Sequence, residues 1–539
     1  MSTTTDIPDT ESAHYDVIVL GGALSGAATA TLILRHNPGA RVLILEKNAK
    51  LTRRVGEATV EVSAFFMSHV LGLTQYLNES HLVKQGLRFW FANKEVRNIS
   101  EASELGSKYS VKLPSYQLDR STFDEEVLRR AVVAGATLVR PVNISGVELH
   151  EGGEQTVTYK QDGAVLTAKA RWVVDASGVA ALISRKQGFW RSNTAHPTAA
   201  VWSRWKGVKD WDSREFEEKY PEWARALYCV RGTATNHIIG DGWWSWWIPL
   251  KGGDMSVGIV FDQRLVEFPS EGGKVGDRLK NFLMQHPVAR DLLADAEYED
   301  GDVHFRRNLA YYSTKFAGDG FVLVGDAAAF MDPFYSPGMD WISYTTSSAA
   351  HLVTQALHGE PMAERIKTYN IAFSTCHASW FEALYKDKYE YMGEFDLMDL
   401  AYRLDLGLYY WGVVRHPFEK GEKALLKPPF APPDGRFVFN LMSTYTRRFA
   451  QIARRRRRMG ELGRMNRNHR SLIKGFRLER EDAIQLPGML WEWLKLEIRE
   501  GWRSWGESER DVEASHLPGK QAPPVKTETS TPQGEPAMG

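Results

Sequence analysis

The chain has 539 residues, 67 basic against 67 acidic side chains and 43% hydrophobic content. That length exceeds one small core and calls for two or three domains, or one large α/β domain with insertions. The charge balance removes any global electrostatic case for a nucleic-acid partner. Cys229 and Cys376 are the only cysteines, with no Cys-x-x-Cys or Cys/His cluster, so neither a disulfide framework nor a metal site is expected. This usage fits a reducing, cytoplasmic setting. No apolar run approaches the roughly 18 residues of a membrane span, and the polar, acidic opening MSTTTDIPDTESAHYD is not a secretory signal.

In chain order, residues 1–14 read as a disordered leader. Tyr15 to Leu20 is a β-branched strand, followed by Gly21-Gly22, a helix of small residues, and a second buried strand in ARVLILEK. This is a strand–helix–strand unit. ARWVVDASG and DGFVLVGDAAAF read as further buried strands. Between them lie the antiparallel-looking stretches HIIGDGWWSWWIPL and DMSVGIVFD, which define a β-rich insertion over residues 186–310. The strand–helix domain is expected over 15–360, a helical region over 361–510, and a disordered tail rich in Pro, Thr, Gly and Lys over 511–539. The arginine run Arg454–Arg458 reads as a solvated helix face, with docking of an acidic partner as the alternative. Trp491, Leu494, Ile498, Trp502 and Trp505 share a helical face that is expected to pack inward.

The first turn, VIVLGGALSGAATA, has the makings of a dinucleotide site. Such a turn needs glycine where the chain turns tightly, where pyrophosphate approaches, and where helix meets strand. Gly21 and Gly26 fill the first and third places; Ala23 takes the second, with Gly22 beside it and Ser25 on the opening helix turn. Glu46 closes the next strand, 20 positions after Gly26, where a carboxylate can accept from a ribose hydroxyl. A structural glycine turn in some other α/β unit is the plainer alternative.

Two later segments, YQLDRSTFDEEVLRRAVVAGA (116–136) and GDGFVLVGDAAAFMDPFYSPG (318–338), resemble the FAD-dependent monooxygenase class. The resemblance implies that Arg120 lies beside FAD and that Asp326 meets its ribityl chain. Trp244-Ser245-Trp246-Trp247-Ile248-Pro249 fits Trp-x-Trp-x-Ile-Pro, and with RVGEATVE (54–61) and HLVKQGLRFWF it resembles the flavin-dependent halogenases, including the tryptophan halogenase group, over residues 15–350. The fold implied is α/β: an FAD-binding, Rossmann-like domain of the glutathione reductase and aromatic hydroxylase type, with a β-rich substrate-binding insertion and a helical C-terminal region. In that family reduced FAD, oxygen and halide yield hypohalous acid, which a lysine aims at an electron-rich ring. Lys84 matches that lysine, Glu57 falls in a flavin-contacting segment, and Trp244 and Trp246 match the pair that keeps substrate off the flavin. Alternation along the strand leaves Trp243 and Trp247 on the opposite face, as packing. Read without the resemblance, a tryptophan-rich strand is packing and Lys84 a solvated strand residue.

No second glycine-rich unit offers a nicotinamide site, so a separate flavin reductase is implied. The expected substrate is a phenol, pyrrole or indole, free or tethered to a carrier protein. The family's halide turn reads Ser-Thr-Gly or Ser-Ser-Gly; here it is Ser336-Pro337-Gly338, and proline has no N–H. Ser336 and Gly338 remain as halide donors, and Tyr335 stands where tryptophan halogenases carry a glutamate. Hydroxylation by a relative without a halide site is therefore the second functional class. A non-catalytic FAD-binding homologue is the third.

Overall fold

The computed structural model describes residues 13–227, 230–431, 435–475 and 485–506. Residues 1–12, Cys229 and the tail from 507 lie outside the described residues. Ala13 and His14 already belong to the first strand, which runs Ala13–Leu20.

Val17 to Leu20 have no solvent exposure, because their strand is covered on both faces. It pairs in parallel with Val42–Leu45 on one side and Ala164–Asp175 on the other. Thr137–Val139 and Phe321–Leu323 extend the parallel core. An antiparallel hairpin, Asn143–Glu148 and Gln155–Gln161, joins the Ala164–Asp175 strand. The helix Leu24–His36 packs on Arg120–Val133 and on Pro337–Leu357. The predicted strand–helix–strand unit therefore sits at the centre of the sheet, with its glycine turn at the C-terminal strand ends where α/β folds bind ligands.

A nine-stranded sheet forms the second layer. Its main path runs Glu297–Tyr298, Thr198–Lys206, Met255–Asp262, Trp243–Pro249, Thr235–Gly240, Leu87–Phe91, Ser103–Ser107, Arg470–Ile473. The 186–310 insertion supplies most of it. Leu87–Phe91, Ser103–Ser107 and Arg470–Ile473 come from outside that range, the last from the region expected to be wholly helical. Leu87–Phe91 and Ser103–Ser107 pair with each other, but each also takes a partner far along the chain, and that pairing leaves no local signature.

Two expectations for the C-terminal region are corrected. The arginine run is not a solvated face: Arg456 is fully buried and Arg454 nearly so. Arg456 bonds Glu394, Asp396 and Glu500 at 2.9, 2.7 and 2.7 Å. Arg454 faces Asp387, and Arg457 bridges Asp241 and Glu390. These arginines tie the helix Arg436–Arg458 to its neighbours, so most of the run is unavailable for docking. Arg456→Met should destabilise the fold by about 3–5 kcal/mol, since the buried Glu394 would lose its cation and Asp396 and Glu500 would keep only the more exposed Arg499 and Arg464. Denaturant unfolding checks this, and a loss below about 0.5 kcal/mol, ordinary for a surface site, would contradict it.

The second correction concerns the helix Gln485–Arg499. Trp491, Leu494, Ile498, Trp502 and Trp505 are 46–70% exposed. The packed stripe is instead Leu486, Met489, Leu490, Trp493 and Leu496. Trp493 meets Tyr445 and Phe449 edge-on, and Arg448 pairs with Glu497, which fixes this rotation of the helix. Among the described residues, no helix is long and apolar enough to cross a membrane.

Candidate functional site

The glycine turn is built for close approach. Gly21 has φ +104°, and a Cβ on Gly26 would lie 1.9 Å from the Gly21 carbonyl oxygen. Gly22 N–H donates to the Glu46 carboxylate at 2.7 Å, and Asn48 N–H takes its other oxygen. Ala23 begins the helix Leu24–His36 without a side-chain cap, leaving the amides around Ser25 and Gly26 for an anion. Arg120 is clamped by Asp124 and donates to the Gly56 carbonyl, and its charge lies close enough to Asp326 to work against the burial that raises that carboxyl. Gly21, Gly22, Ala23, Ser25, Gly26, Glu46, Arg120 and Asp326 are thus the residues around this turn that could hold a dinucleotide. The Glu57 side chain is held by Arg204 at 2.9 Å, and burial pushes it up to about 7.

A cavity of about 700 Å³ opens beside this unit, between the nine-stranded sheet and the C-terminal helices. Lys84 lines it. The lysine follows the short strand Leu82–Val83, whose backbone fixes it through Lys84 N–H to Ser115 O at 2.8 Å. Its Nζ donates to the Thr59 carbonyl at 2.7 Å. Only 1% exposed, its amine is pushed down to about 8 by burial, against the opposing pull of Glu61 and Asp340. Both carboxylates line the same cavity, with Tyr385, Tyr402, Tyr409 and Tyr410. Asp340 accepts from Ser63 N–H at 2.9 Å and from Tyr409 Oη at 2.7 Å; Glu61 accepts from Tyr410 Oη at 2.6 Å. Sequence reading missed Asp340. Its one signal is its place, two residues past Gly338 in an otherwise apolar helix start.

The tryptophan strand splits as alternation predicts. Trp244 and Trp246 face the flavin-fold core, and Trp247 packs in the separate core behind the sheet, edge-on to Trp211. Trp243 meets Phe282. Trp244 and Trp246 do not line the cavity, however. Trp244 stands edge-on to Phe334, with ring centroids 5.1 Å apart, and its indole donates to Tyr389, which donates to Asp332. His196 bonds the same Asp332 oxygen, and the other oxygen accepts from Phe334 N–H. Trp246 donates to Ser256. Trp244 thus buttresses the segment leading into the Ser336 turn, with Trp246 packed behind it.

That turn is strained in a defined way. Tyr335 and Ser336 both take left-handed backbone, φ +68° and +59°. Ser336 N–H is spent on Pro333 O, and Pro337 opens the helix Pro337–Leu357. Proline suits that first position because its N–H would have no partner within the helix. Gly338 N–H follows it, at the positive end of the helix. Tyr335, in the place of the family's glutamate, donates to Asp405, which also takes Lys388 and Tyr445.

A family model described as an FAD binding domain matches residues 14–238. The chain is 29% identical over 363 residues to the flavin-dependent halogenase chlA of Dictyostelium discoideum, covering 61% of this chain and 58% of that one. It is 27% identical to a tryptophan 2-halogenase of Chondromyces crocatus, covering 68% and 66%. The chain thus spans about three fifths to two thirds of the length of these curated relatives. Among solved structures, halogenase PltM shares 19% identity at TM-score 0.69, covering 89% of this chain and 96% of that one. The chondrochloren halogenase CndH shares 25% at TM-score 0.58, covering 69% and 83%. With the glycine turn, Arg120, Asp326 and the buried lysine in place, the chain carries an FAD binding domain and is similar to flavin-dependent halogenases.

Proposed function

We propose that this protein halogenates an electron-rich aromatic compound in secondary metabolism, using reduced FAD, oxygen and halide. The carrying observation is Lys84: a buried amine, lowered by its surroundings, lining a cavity that adjoins a helix N-terminus. FAD would be held by Gly21, Gly22, Ala23, Ser25, Gly26, Glu46, Arg120 and Asp326. Bound in reduced form, it supplies the electrons with which oxygen converts halide to hypohalous acid. The protein's own work is to position and to exclude water. Lys84 hydrogen-bonds the hypohalous acid and holds its halogen toward the substrate ring, which makes a diffusing oxidant regioselective. Gly338 N–H and the Ser336 hydroxyl offer donors to a halide.

The aromatic lining and the volume of the cavity suit a phenol or a larger polycycle. A neighbouring PltM structure is a complex with phloroglucinol and FAD, which supports a phenolic substrate here. The substrate is free rather than carrier-tethered in this reading, because the arginine run is buried in internal ion pairs. A flavin reductase supplies reduced FAD, and a cytoplasmic location fits that supply. The proline at 337 favours one alternative, hydroxylation of an aromatic without halide.

Reduced FAD, oxygen and bromide, offered with monochlorodimedone, separate the two. Halide-dependent halogenation of the trap is expected. Hydrogen peroxide alone, or an oxygenated aromatic product made equally well without halide, would favour the monooxygenase.

A further inference from the structure

Four carboxylates line the cavity: Glu61, Asp340, Asp405 and Glu419, the last paired with Arg415. Their surroundings differ. Asp405 is saturated, taking the buried Lys388 cation and the hydroxyls of Tyr335 and Tyr445. It is an anchored counter-ion. Glu61 is half-buried, with Tyr410 as its hydrogen-bond partner. Asp340 is 1% exposed, has no salt-bridge cation among the described residues, and is fixed by one neutral donor on each oxygen, Ser63 N–H and Tyr409 Oη. It lies on the same helix as Pro337 and Gly338, one turn inside, so the proposed halide turn and this carboxyl move as one rigid unit.

We propose that Asp340 is the general base that ionises a phenolic substrate, with Tyr409 holding the carboxyl in place; this rests on the halogenase reading. The phenol O–H proton passes to Asp340. The resulting phenolate attacks hypohalous acid held at Lys84: a ring carbon–halogen bond forms and the oxygen–halogen bond breaks. The departing hydroxide takes a proton from the Lys84 ammonium to give water. The halogenated ring then gives its displaced C–H proton to the Lys84 amine, and the phenolate oxygen recovers the proton stored on Asp340. Phenol and hypohalous acid are consumed, halophenol and water are formed, and both side chains return to their starting states. The substrate class follows: an aromatic whose activating group is an ionisable hydroxyl, rather than an indole or a pyrrole.

The electrostatics agree with these roles. Burial, opposed by the Tyr409 and Ser63 hydrogen bonds and reinforced by Glu61, pushes Asp340 up to about 7. The groups facing it are Ser63 and Glu61 from the short helix below, Tyr344 from its own helix, Tyr409 from the facing helix, Tyr385, and Lys84. The base form of Asp340 is lost as pH falls below about 7, and the Lys84 ammonium is lost as pH rises above about 8. A narrow bell in kcat/KM follows.

The test compares Asp340→Asn with the unaltered protein on 4-methylphenol and the more acidic 4-cyanophenol, with reduced FAD, oxygen and bromide. The side-chain amide of that variant can still accept from Ser63. The deficit should be about 10²-fold or more on 4-methylphenol, and should shrink on 4-cyanophenol, which ionises far more readily without help. An equal deficit on both phenols overturns the role. Should that variant fail to bind FAD, Tyr409→Phe serves: losing a donor to the carboxylate should move the acid limb of the pH profile upward, and an unmoved limb overturns the role. Glu61→Gln should leave that limb in place; if it alone erases the limb, the base is Glu61. An unaltered protein that halogenates neither phenol nor monochlorodimedone fails the halogenase reading itself, and this role falls with it.

Discussion

Lys84→Met should cut substrate halogenation by about 10³-fold or more while the protein becomes no less stable. The two effects have one origin. Burial holds the Lys84 amine at about 8 instead of 10.5, so below pH 8 the fold carries a desolvated ammonium. The sign follows from proton counts: between pH 8 and 10.5 the unfolded chain binds more protons at this site, so the penalty is full below 8 and fades as pH rises toward 10.5. Removing the charge should recover up to roughly 3 kcal/mol at pH 7, less about 1 kcal/mol for the Thr59 carbonyl left without its donor. Hypohalous acid formation, read with monochlorodimedone, should persist, because it does not need the lysine. A variant that halogenates substrate normally, with the same regiochemistry, would remove Lys84 from the mechanism. A variant that loses stability at pH 7 would show that the ammonium is better compensated than burial implies.

Legibility in the sequence followed the range of the interactions. The glycine turn was readable because Gly21, Gly22 and Gly26 and the strand before them lie within one short window, and their steric need is local. The split of the tryptophans was readable because strand alternation is a property of the backbone. The arginine run was misread because Arg456 finds Glu394, Asp396 and Glu500, 62, 60 and 44 positions away. A charge run alone does not reveal such partners. The Gln485–Arg499 helix has apolar residues on two faces, and only Tyr445, Phe449 and Arg448 decide which one turns inward. Asp340 was passed over for a related reason: a lone acid in an apolar helix has no motif, and its meaning comes from Tyr409 and Lys84 across the cavity. That the Ser-Pro-Gly turn is short of one amide follows from the proline alone. The structure adds that Pro337 is where a helix starts, so the missing donor is a feature of a well-formed helix end rather than a damaged loop.

Gly26→Ala should abolish FAD binding, whereas Gly22→Ala should only weaken it. At Gly26 the added methyl carbon would sit 1.9 Å from the Gly21 carbonyl oxygen and 3.1 Å from the Ala176 Cβ, so the obstacle is backbone in the turn itself. Relief requires the helix Leu24–His36 to move off the strand. Strain of this kind typically costs about 1–3 kcal/mol, and the displacement takes the helix-start amides away from the pyrophosphate position. At Gly22 the nearest atoms are Leu128 methyl carbons and Glu46 Cβ at 3.2–3.3 Å, side chains that can give by a few tenths of an ångström. The Gly22 N–H to Glu46 bond survives that substitution. Flavin fluorescence quenching should show at least about a 100-fold weaker Kd for Gly26→Ala, about 2.7 kcal/mol, against less than tenfold for Gly22→Ala. Equal losses at the two positions would mean that phosphate contact, and not the closeness of helix to strand, is what glycine serves in this turn.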